Sequence, residues 1–373
     1  MTKSLYGVGA FEKVKDYLDE AGAKKILLVT GRSSFSLSGA EQRLEPILKD
    51  IPAVRFYDFE VNPKIEDVKK GVSCLVEEGC DLIMAIGGGS ALDMAKLINY
   101  YNQVEVNQID IGSEISAELL PMIAVPTTSG SGSEATHFAV IYKEGVKYSL
   151  ANQSLLPQYV VVDPQLTYAC SPYLTAVCGL DAFAQASESY WNVNSTEESR
   201  QYALEAVQIL WKNLGQAVSQ NTPEAKDLVV KASNLAGKAI NISKTTAPHA
   251  ISYSFTTHFG IAHGHAVSLT LPFFFGFNYK LTSADCTDNR GEEFVKQRLN
   301  DLFEVIGAKG PDEAVTLVRD FISGLNIELS IDKLGIDAEE LDGKILNGIN
   351  PERLKNNPRA LLNDQLKLYL LAY

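Results

Sequence analysis

The sequence predicts two domains: an α/β domain over residues 1–164 with a doubly wound parallel sheet, and an all-α domain over residues 165–373. Three observations carry this reading. A chain of 373 residues exceeds what one hydrophobic core usually supports. As far as Asp163, short β-branched runs alternate with amphipathic stretches, the pattern of parallel strands joined by crossover helices. From Ser171 onward the composition turns Ala-rich and the apolar residues recur at helical spacing.

Ile26 to Thr30, Val54 to Phe59, Leu82 to Ile86 and Met122 to Val125 read as strands, with helices predicted over Ala40 to Lys49, Ile65 to Glu78 and Ala91 to Tyr100. His137 to Tyr142 and Lys147 to Leu150 flank a Gly145 turn, and Tyr159 to Asp163 is a last strand stopped by Pro164. Helices follow over Pro172 to Trp191, Glu197 to Gly215, Pro223 to Ile242, Glu293 to Ile306 and Asp312 to Ser323. Thr222 before Pro223 is a cap followed by proline at the first helical position.

Composition narrows the function. Hydrophobic residues at 46% and charged residues at 21% describe a chain that folds fully. With 33 basic against 46 acidic side chains the net charge is −13, which excludes nucleic-acid and anionic-membrane partners. Met1 to Gly9 lacks the apolar core of a signal peptide, and the most apolar stretch, Leu269 to Phe277, is too short to span a bilayer; the expected location is cytoplasmic. Five cysteines without a CxxC pair read as reduced, with neither a disulfide frame nor a thiolate zinc site.

Two loops and one cluster carry chemistry. Gly87-Gly88-Gly89-Ser90 follows a strand and opens a helix containing Asp93 and Lys96. Three glycines let backbone approach a pyrophosphate, and a helix N-terminus supplies unpaired N–H donors. Taken alone this is equally a tight turn with no ligand. Pro126 to Glu134 repeats the logic at another strand end with Thr127, Thr128, Ser129 and Ser131, so that two such ends build a nucleotide crevice. Four of the five histidines, His249, His258, His263 and His265, fall within 17 residues, a density that points to metal binding or proton transfer. Asp181, Gln185 and Glu188 lie at i, i+4 and i+7, on one face of an otherwise apolar helix, and need polar partners.

Tyr6 to Gly9, Val61-Asn62-Pro63, Gly87 to Lys96, Pro126 to Glu134, Asp163-Pro164, Gly179 to Ala182, His249 with His263-Gly264, and Asn357-Pro358-Arg359 together resemble the iron-containing alcohol dehydrogenases, more distantly dehydroquinate synthase. The resemblance implies the architecture of that family and a dinucleotide held at Gly31, Arg32, Asn62, Gly87, Gly88, Gly89, Ser90, Asp93, Thr127, Thr128, Ser129, Ser131 and Lys147. It also implies a divalent metal, Fe²⁺ ahead of Zn²⁺ or Mn²⁺, held by Asp181, Gln185, His249 and His263. Gln185 stands where the family normally has His, and Tyr253 where many members have another His. An amide oxygen is a harder and weaker ligand than imidazole, so lower affinity and a tilt away from Zn²⁺ are expected.

In this family such a metal polarises an aldehyde as hydride arrives from the nicotinamide, and the product alkoxide needs a proton from His265, Tyr253 or water. His258 is expected to be structural. NAD-specific relatives carry an Asp where this chain has Gly31; losing that carboxylate next to Arg32, Ser33 and Ser34 favours NADPH over NADH. The runs Gln185 to Trp191, Ser243 to His249 and His263-Gly264-His265 resemble the phosphonoacetaldehyde reductases of phosphonate biosynthesis, with Lys244, Thr245 and Thr246 one to two helical turns before a metal ligand as the anion site. The expected reaction is reduction of phosphonoacetaldehyde to 2-hydroxyethylphosphonate. A general primary alcohol or diol dehydrogenase, of the butanol or propanediol type, is the near alternative and a metal-free nucleotide-binding protein the distant one. A homodimer is compatible with the sequence.

Overall fold

The computed structural model describes residues 2–113, 119–349, 351–361 and 363–372. Backbone contacts divide it into two compact units, Met1–Cys170 and Ser171–Tyr373.

In the first unit six parallel strands form one sheet, β1 (Lys3–Tyr6), β2 (Ile26–Thr30), β3 (Ala53–Phe56), β4 (Leu82–Gly87), β5 (Met122–Pro126) and β8 (Tyr159–Val162), in the order β1-β8-β5-β4-β2-β3. A hairpin of β6 (Phe138–Lys143) and β7 (Val146–Ala151) stands apart as a two-stranded sheet. Helices α1 (Val14–Ala21), α2 (Ser34–Leu37), α3 (Ala40–Leu44), α4 (Ile65–Glu77) and α5 (Gly89–Tyr100) complete the unit. β2, β4 and β5 are buried along their whole length, as strands covered on both faces must be. Their side chains alternate between two cores: Leu27, Val29, Ile83, Ala85 and Ala124 pack with α4 and α5, whereas Ile26, Leu28, Met84, Ile86, Ile123 and Val125 face α1 and α3.

The predicted helix over residues 40–49 is helical only to Leu44, because Pro46 lacks the N–H the ladder needs. β3 ends at Phe56, three residues early, and β1 was not predicted, since its exposed residues leave no apolar alternation to read. Asp163 of the Asp163-Pro164 motif is a buried carboxylate that accepts from the Phe11 and Gln165 N–H groups and from Arg43, tying the chain start to the end of β8.

The second unit is helical: α6 (Pro172–Trp191), α7 (Glu197–Ser219), α8 (Pro223–Ser243), α9 (Ala247–Phe259), α10 (His263–Ser268), α11 (Leu271–Tyr279), α12 (Glu292–Ile306) and α13 (Pro311–Gly324), then the short α14 (Ala338–Glu340), α15 (Pro351–Leu354) and α16 (Asn363–Leu371). One apolar core runs through it, with α6 at its centre packed on α7, α8 and α10. α9, α10 and α11 were not predicted as helices; α11 is apolar nearly all round because it is buried nearly all round, which erases the 3.6-residue stripe.

Candidate functional site

In the first unit, the two loops meet because β4 and β5 are neighbours, with Gly87 opposite Pro126 and the Thr127 N–H donating to the Gly87 carbonyl at 2.9 Å. A Cβ on Gly88 would lie 3.2 Å from Thr128 Oγ1, and one on Gly89 would lie 2.8 Å from Ser131 Oγ. The glycines are there because the second loop leaves no room for side chains. The chain then enters α5, whose first N–H groups face outward from the helix end. The Asn62 N–H donates to Ser90 Oγ at 3.2 Å, bringing a third segment to that end. Ser129 is buried, and Thr127 Oγ1 is a buried hydroxyl with no hydrogen-bond partner among the described residues. A cradle of glycines beside an orphaned hydroxyl fits a dinucleotide phosphate.

Asp93 and Lys96 serve the scaffold instead. Asp93 accepts from Ser133 Oγ at 2.6 Å and from the Val140 N–H at 3.0 Å, with Lys147 adding positive charge nearby. Lys96 is fully buried and donates to the carbonyls of Ser133, Thr136 and Phe138 at 2.6–2.9 Å. Burial pushes its ammonium down to about 8 against the pull of Asp93 and Glu134. The direct cofactor contact expected of Asp93 is thereby corrected: both its oxygens are used to hold the loop that follows Ser131. At the end of β2, a Cβ on Gly31 would lie 2.2 Å from Ser34 Oγ. Arg32 is exposed and pairs with Asp58 at 3.1 Å beside the Tyr57 ring.

In the second unit, α6 presents Asp181 and, one and two turns on, Gln185 and Glu188, all buried. α9 contributes His249 and α10 His263. Nε2 of His249 lies 3.2 Å and Nε2 of His263 4.0 Å from the same oxygen, Asp181 Oδ1. One ligand atom from each of Asp181, His249 and His263 falls within 4.8 Å of the others. Gln185 hydrogen-bonds Asp181, so the fourth residue is at the same carboxylate. One carboxylate, two imidazoles and an amide form a donor set of the kind a divalent transition metal takes. The electrostatics agree: burial would raise Asp181, yet the two histidines and Gln185 hold its carboxyl below the usual range.

Glu188 was noted on the α6 face but given no role, and it proves central. Its Oε1 bonds to His249 Nδ1, while Oε2 accepts from the Thr246 N–H at 2.6 Å and the Thr246 hydroxyl at 2.9 Å. This is a carboxylate behind an imidazole, the arrangement that fixes ring orientation and raises basicity. Burial would lower the His249 imidazolium, but Glu188 and Asp181 outweigh it and push it up to about 9. The spacing Asp181, Gln185, Glu188 was the available signal.

Two expectations are corrected. His265 sits two residues beyond His263 on α10 and so points to the opposite side; its Nε2 is 2.7 Å from the Glu328 carbonyl and its Nδ1 is 3.4 Å from the Tyr173 hydroxyl. Both nitrogens thus meet structural partners and not the Asp181 cluster. Lys244 to Thr246 do not lie on the helix of His249: Lys244 ends α8 with φ +69° and ψ −175°, a conformation few non-glycine residues adopt, and breaks the chain before α9. Lys244 is exposed, the Thr245 carbonyl accepts from Asn356, and both Thr246 donors go to Glu188, leaving neither for an anion.

Tyr253 lies one turn beyond His249 on α9, and its ring stacks on His263 at 5.9 Å between centroids and 21° between planes. Arg353 from α15 hydrogen-bonds it. A guanidinium only donates, so the phenol oxygen accepts in that bond. Burial pushes the phenol up and Arg353 pulls it back. His258 is exposed near the end of α9.

Comparison with known proteins follows the same two units. The family model described as iron-containing alcohol dehydrogenase matches residues 1–164, and that described as Fe-containing alcohol dehydrogenase family, C-terminal, matches residues 175–372. A long-chain-alcohol dehydrogenase of Geobacillus thermodenitrificans is 28% identical, over 99% of this chain and 95% of its own. A phosphonoacetaldehyde reductase of Streptomyces viridochromogenes is 31% identical, over 77% of this chain and 74% of its own. The solved structure of a sulfoacetaldehyde reductase from Bifidobacterium kashiwanohense in complex with NAD⁺ superposes with a TM-score of 0.87 at 27% identity, covering 99% of this chain and 96% of that one.

Proposed function

Because the chain belongs to the iron-containing alcohol dehydrogenase family, we propose that it reduces a small anionic aldehyde, phosphonoacetaldehyde, to its primary alcohol with NADPH. The observation that carries the reading is the convergence of two imidazoles on Asp181 Oδ1, backed by Glu188. Asp181, Gln185, His249 and His263 would hold a divalent metal. When bound, the ion supplies Lewis acidity toward a substrate oxygen and the dinucleotide supplies hydride.

The chain's own residues do the rest. Glu188 orients His249, and Gln185 contributes a neutral amide where a weaker site is the consequence. Gly87, Gly88, Gly89, Ser90, Thr127, Thr128, Ser129 and Ser131 receive the cofactor phosphates, with Asn62 closing the same loop end and Lys147 adding charge. Tyr253, beside His263 on α9, would give its phenol proton to the nascent alkoxide. Gly31 removes the carboxylate that would repel a 2′-phosphate, and Arg32 attracts one.

The anionic substrate is supported by the similarity to the phosphonoacetaldehyde and sulfoacetaldehyde reductases. The long-chain-alcohol dehydrogenase favours a second reading, a neutral primary alcohol. Steady-state oxidation of NADPH and of NADH by the Fe²⁺-supplied enzyme, with phosphonoacetaldehyde, sulfoacetaldehyde and butanal, decides between them. Higher kcat/KM for the anionic aldehydes and for NADPH is expected; a preference for butanal overturns the substrate, and a preference for NADH the cofactor.

A further inference from the structure

We propose that Trp191 and Thr246 are positioning residues for the Asp181, His249 and His263 cluster: the indole N–H of Trp191 aims the Thr246 hydroxyl at Glu188, and Glu188 aims His249. This rests on the metal reading proposed above and adds to it the groups that hold its histidine in place.

The relay is a run of buried hydrogen bonds with one allowed direction. Trp191 Nε1 lies 3.1 Å from Thr246 Oγ1, Thr246 Oγ1 lies 2.9 Å from Glu188 Oε2, and Glu188 Oε1 bonds to His249 Nδ1. All four side chains are buried, so water does not compete for these bonds. An indole nitrogen only donates, so the Thr246 hydroxyl must accept from it. The hydroxyl has a single proton, and with the indole opposite, that proton is left for Glu188 Oε2. Without the indole N–H the hydroxyl is free to rotate.

The sequence brings these groups together in two ways. Glu188 and Trp191 stand at i and i+3 on α6 and share a face, so both reach the same threonine. Thr246 precedes α9, where a threonine hydroxyl usually caps the first N–H groups of a helix, yet here it makes no capping bond. Glu188 Oε2 takes that place, accepting from the Thr246 N–H at 2.6 Å and more distantly from the His249 N–H at 3.5 Å. The threonine hydroxyl is thereby released to serve the carboxylate.

The strap from Ser243 to Thr246 is fastened to the last turn of α6. Ser243 Oγ lies 2.8 Å from Ser189 Oγ, and Asn192 Nδ2 donates to the Lys244 carbonyl at 3.1 Å. The indole itself is set edge-on against Phe275, at 5.2 Å between centroids and 90° between planes. Donors fixed in this way hold the carboxylate, and hence the imidazole, before any ion arrives.

The test measures Co²⁺ and Zn²⁺ affinity by competition with a chelator, with the Co²⁺ d–d spectrum, in wild type, Thr246→Val, Thr246→Ser, Trp191→Phe and the double variant. Circular dichroism of each metal-free protein checks its fold. Thr246→Val should weaken both ions by about 10- to 100-fold and alter the Co²⁺ spectrum, whereas Thr246→Ser, which keeps the hydroxyl, should restore both. Trp191→Phe should weaken them by about 3- to 10-fold, and by nothing further when Thr246 is already Val, because the indole acts only through the hydroxyl. Should Trp191→Phe not fold, benzothienylalanine in place of Trp191 keeps the bicyclic volume and lacks the N–H. Unchanged affinity in Thr246→Val, or an equal loss from Trp191→Phe in both backgrounds, makes the two residues packing only and overturns the relay while the metal reading stands. A wild type that binds no stoichiometric Co²⁺ overturns the metal reading and the relay with it.

Discussion

Glu188 is the residue on which the cluster's geometry turns, since it fixes His249 through Nδ1 and simultaneously ties down Thr246, the residue that starts α9. Replacing it with Gln keeps the volume but removes the charge behind the imidazole. Glu188→Gln should therefore weaken Fe²⁺ or Zn²⁺ binding by about 10- to 100-fold, read by competition with a chelator. Unchanged affinity would mean that Asp181 alone orients the ring. In the same titration Gln185→His should bind metal more tightly, because imidazole replaces an amide. Of these residues, Asp181, Gln185, His249 and His263 were named as a set by the resemblance, spacing marking only the histidine cluster and the polar face of α6. The failure of His265 could not, because two positions along a helix reverse a side chain's direction and only the packing of α10 says which side holds the cluster. Thr246 was misjudged for a related reason: a hydroxyl's partner is chosen in space, and here it is a carboxylate 58 positions away.

At the scale of elements, α10 lies against α6 so closely that a Cβ on Gly264 would come within 1.8 Å of the Val177 carbonyl oxygen and 3.1 Å of Asp181 Cβ. Backbone cannot yield as a side-chain tip can. Gly264→Ala should cost about 3 kcal/mol or more and move His263 away from Asp181, lowering both the thermal midpoint and metal affinity; a variant as stable as wild type would show that the contact relaxes cheaply. In the first unit, α5 holds the loop after Ser131 through Lys96. Lys96 releases its proton near pH 8 in the folded state and near 10.5 when unfolded, so between those values the unfolded chain binds more protons. Stability should rise with pH across that window by about 3 kcal/mol, relative to a Lys96→Met variant, in urea unfolding at pH 7.5 and 10. A parallel pH profile for the two proteins would place the ammonium's cost elsewhere. Strands β2, β4 and β5 were legible because burial on both faces makes them continuous apolar runs. β1 was not, because its edge position leaves it exposed and its pairing with β8 lies more than 150 positions away.

For the molecule as a whole, the buried apolar residues form one core in the helical unit and two cores either side of the parallel sheet, and none of the three runs across Cys170–Ser171. Each unit therefore buries its own apolar surface. A fragment of residues 171–373 should unfold cooperatively and bind metal within about tenfold of the full chain, followed by circular dichroism and metal titration. A molten fragment would show that the helical unit needs the first to complete it. No helix among the described residues is long and apolar enough to cross a membrane. By itself, the sequence determined the fold class, the order of most elements and the family. These depend on local periodicity, on glycines where backbones approach, and on motif spacing, all of which are written along the chain. Only the tertiary structure decided which polar side chains face one another: that Glu188 stands behind His249, that Asp93 and Thr246 are spent on the scaffold, and that Arg353 from the far end of the chain meets Tyr253. Those pairings arise from the packing of elements distant in sequence, and no local pattern encodes the direction in which a buried polar group finds its partner.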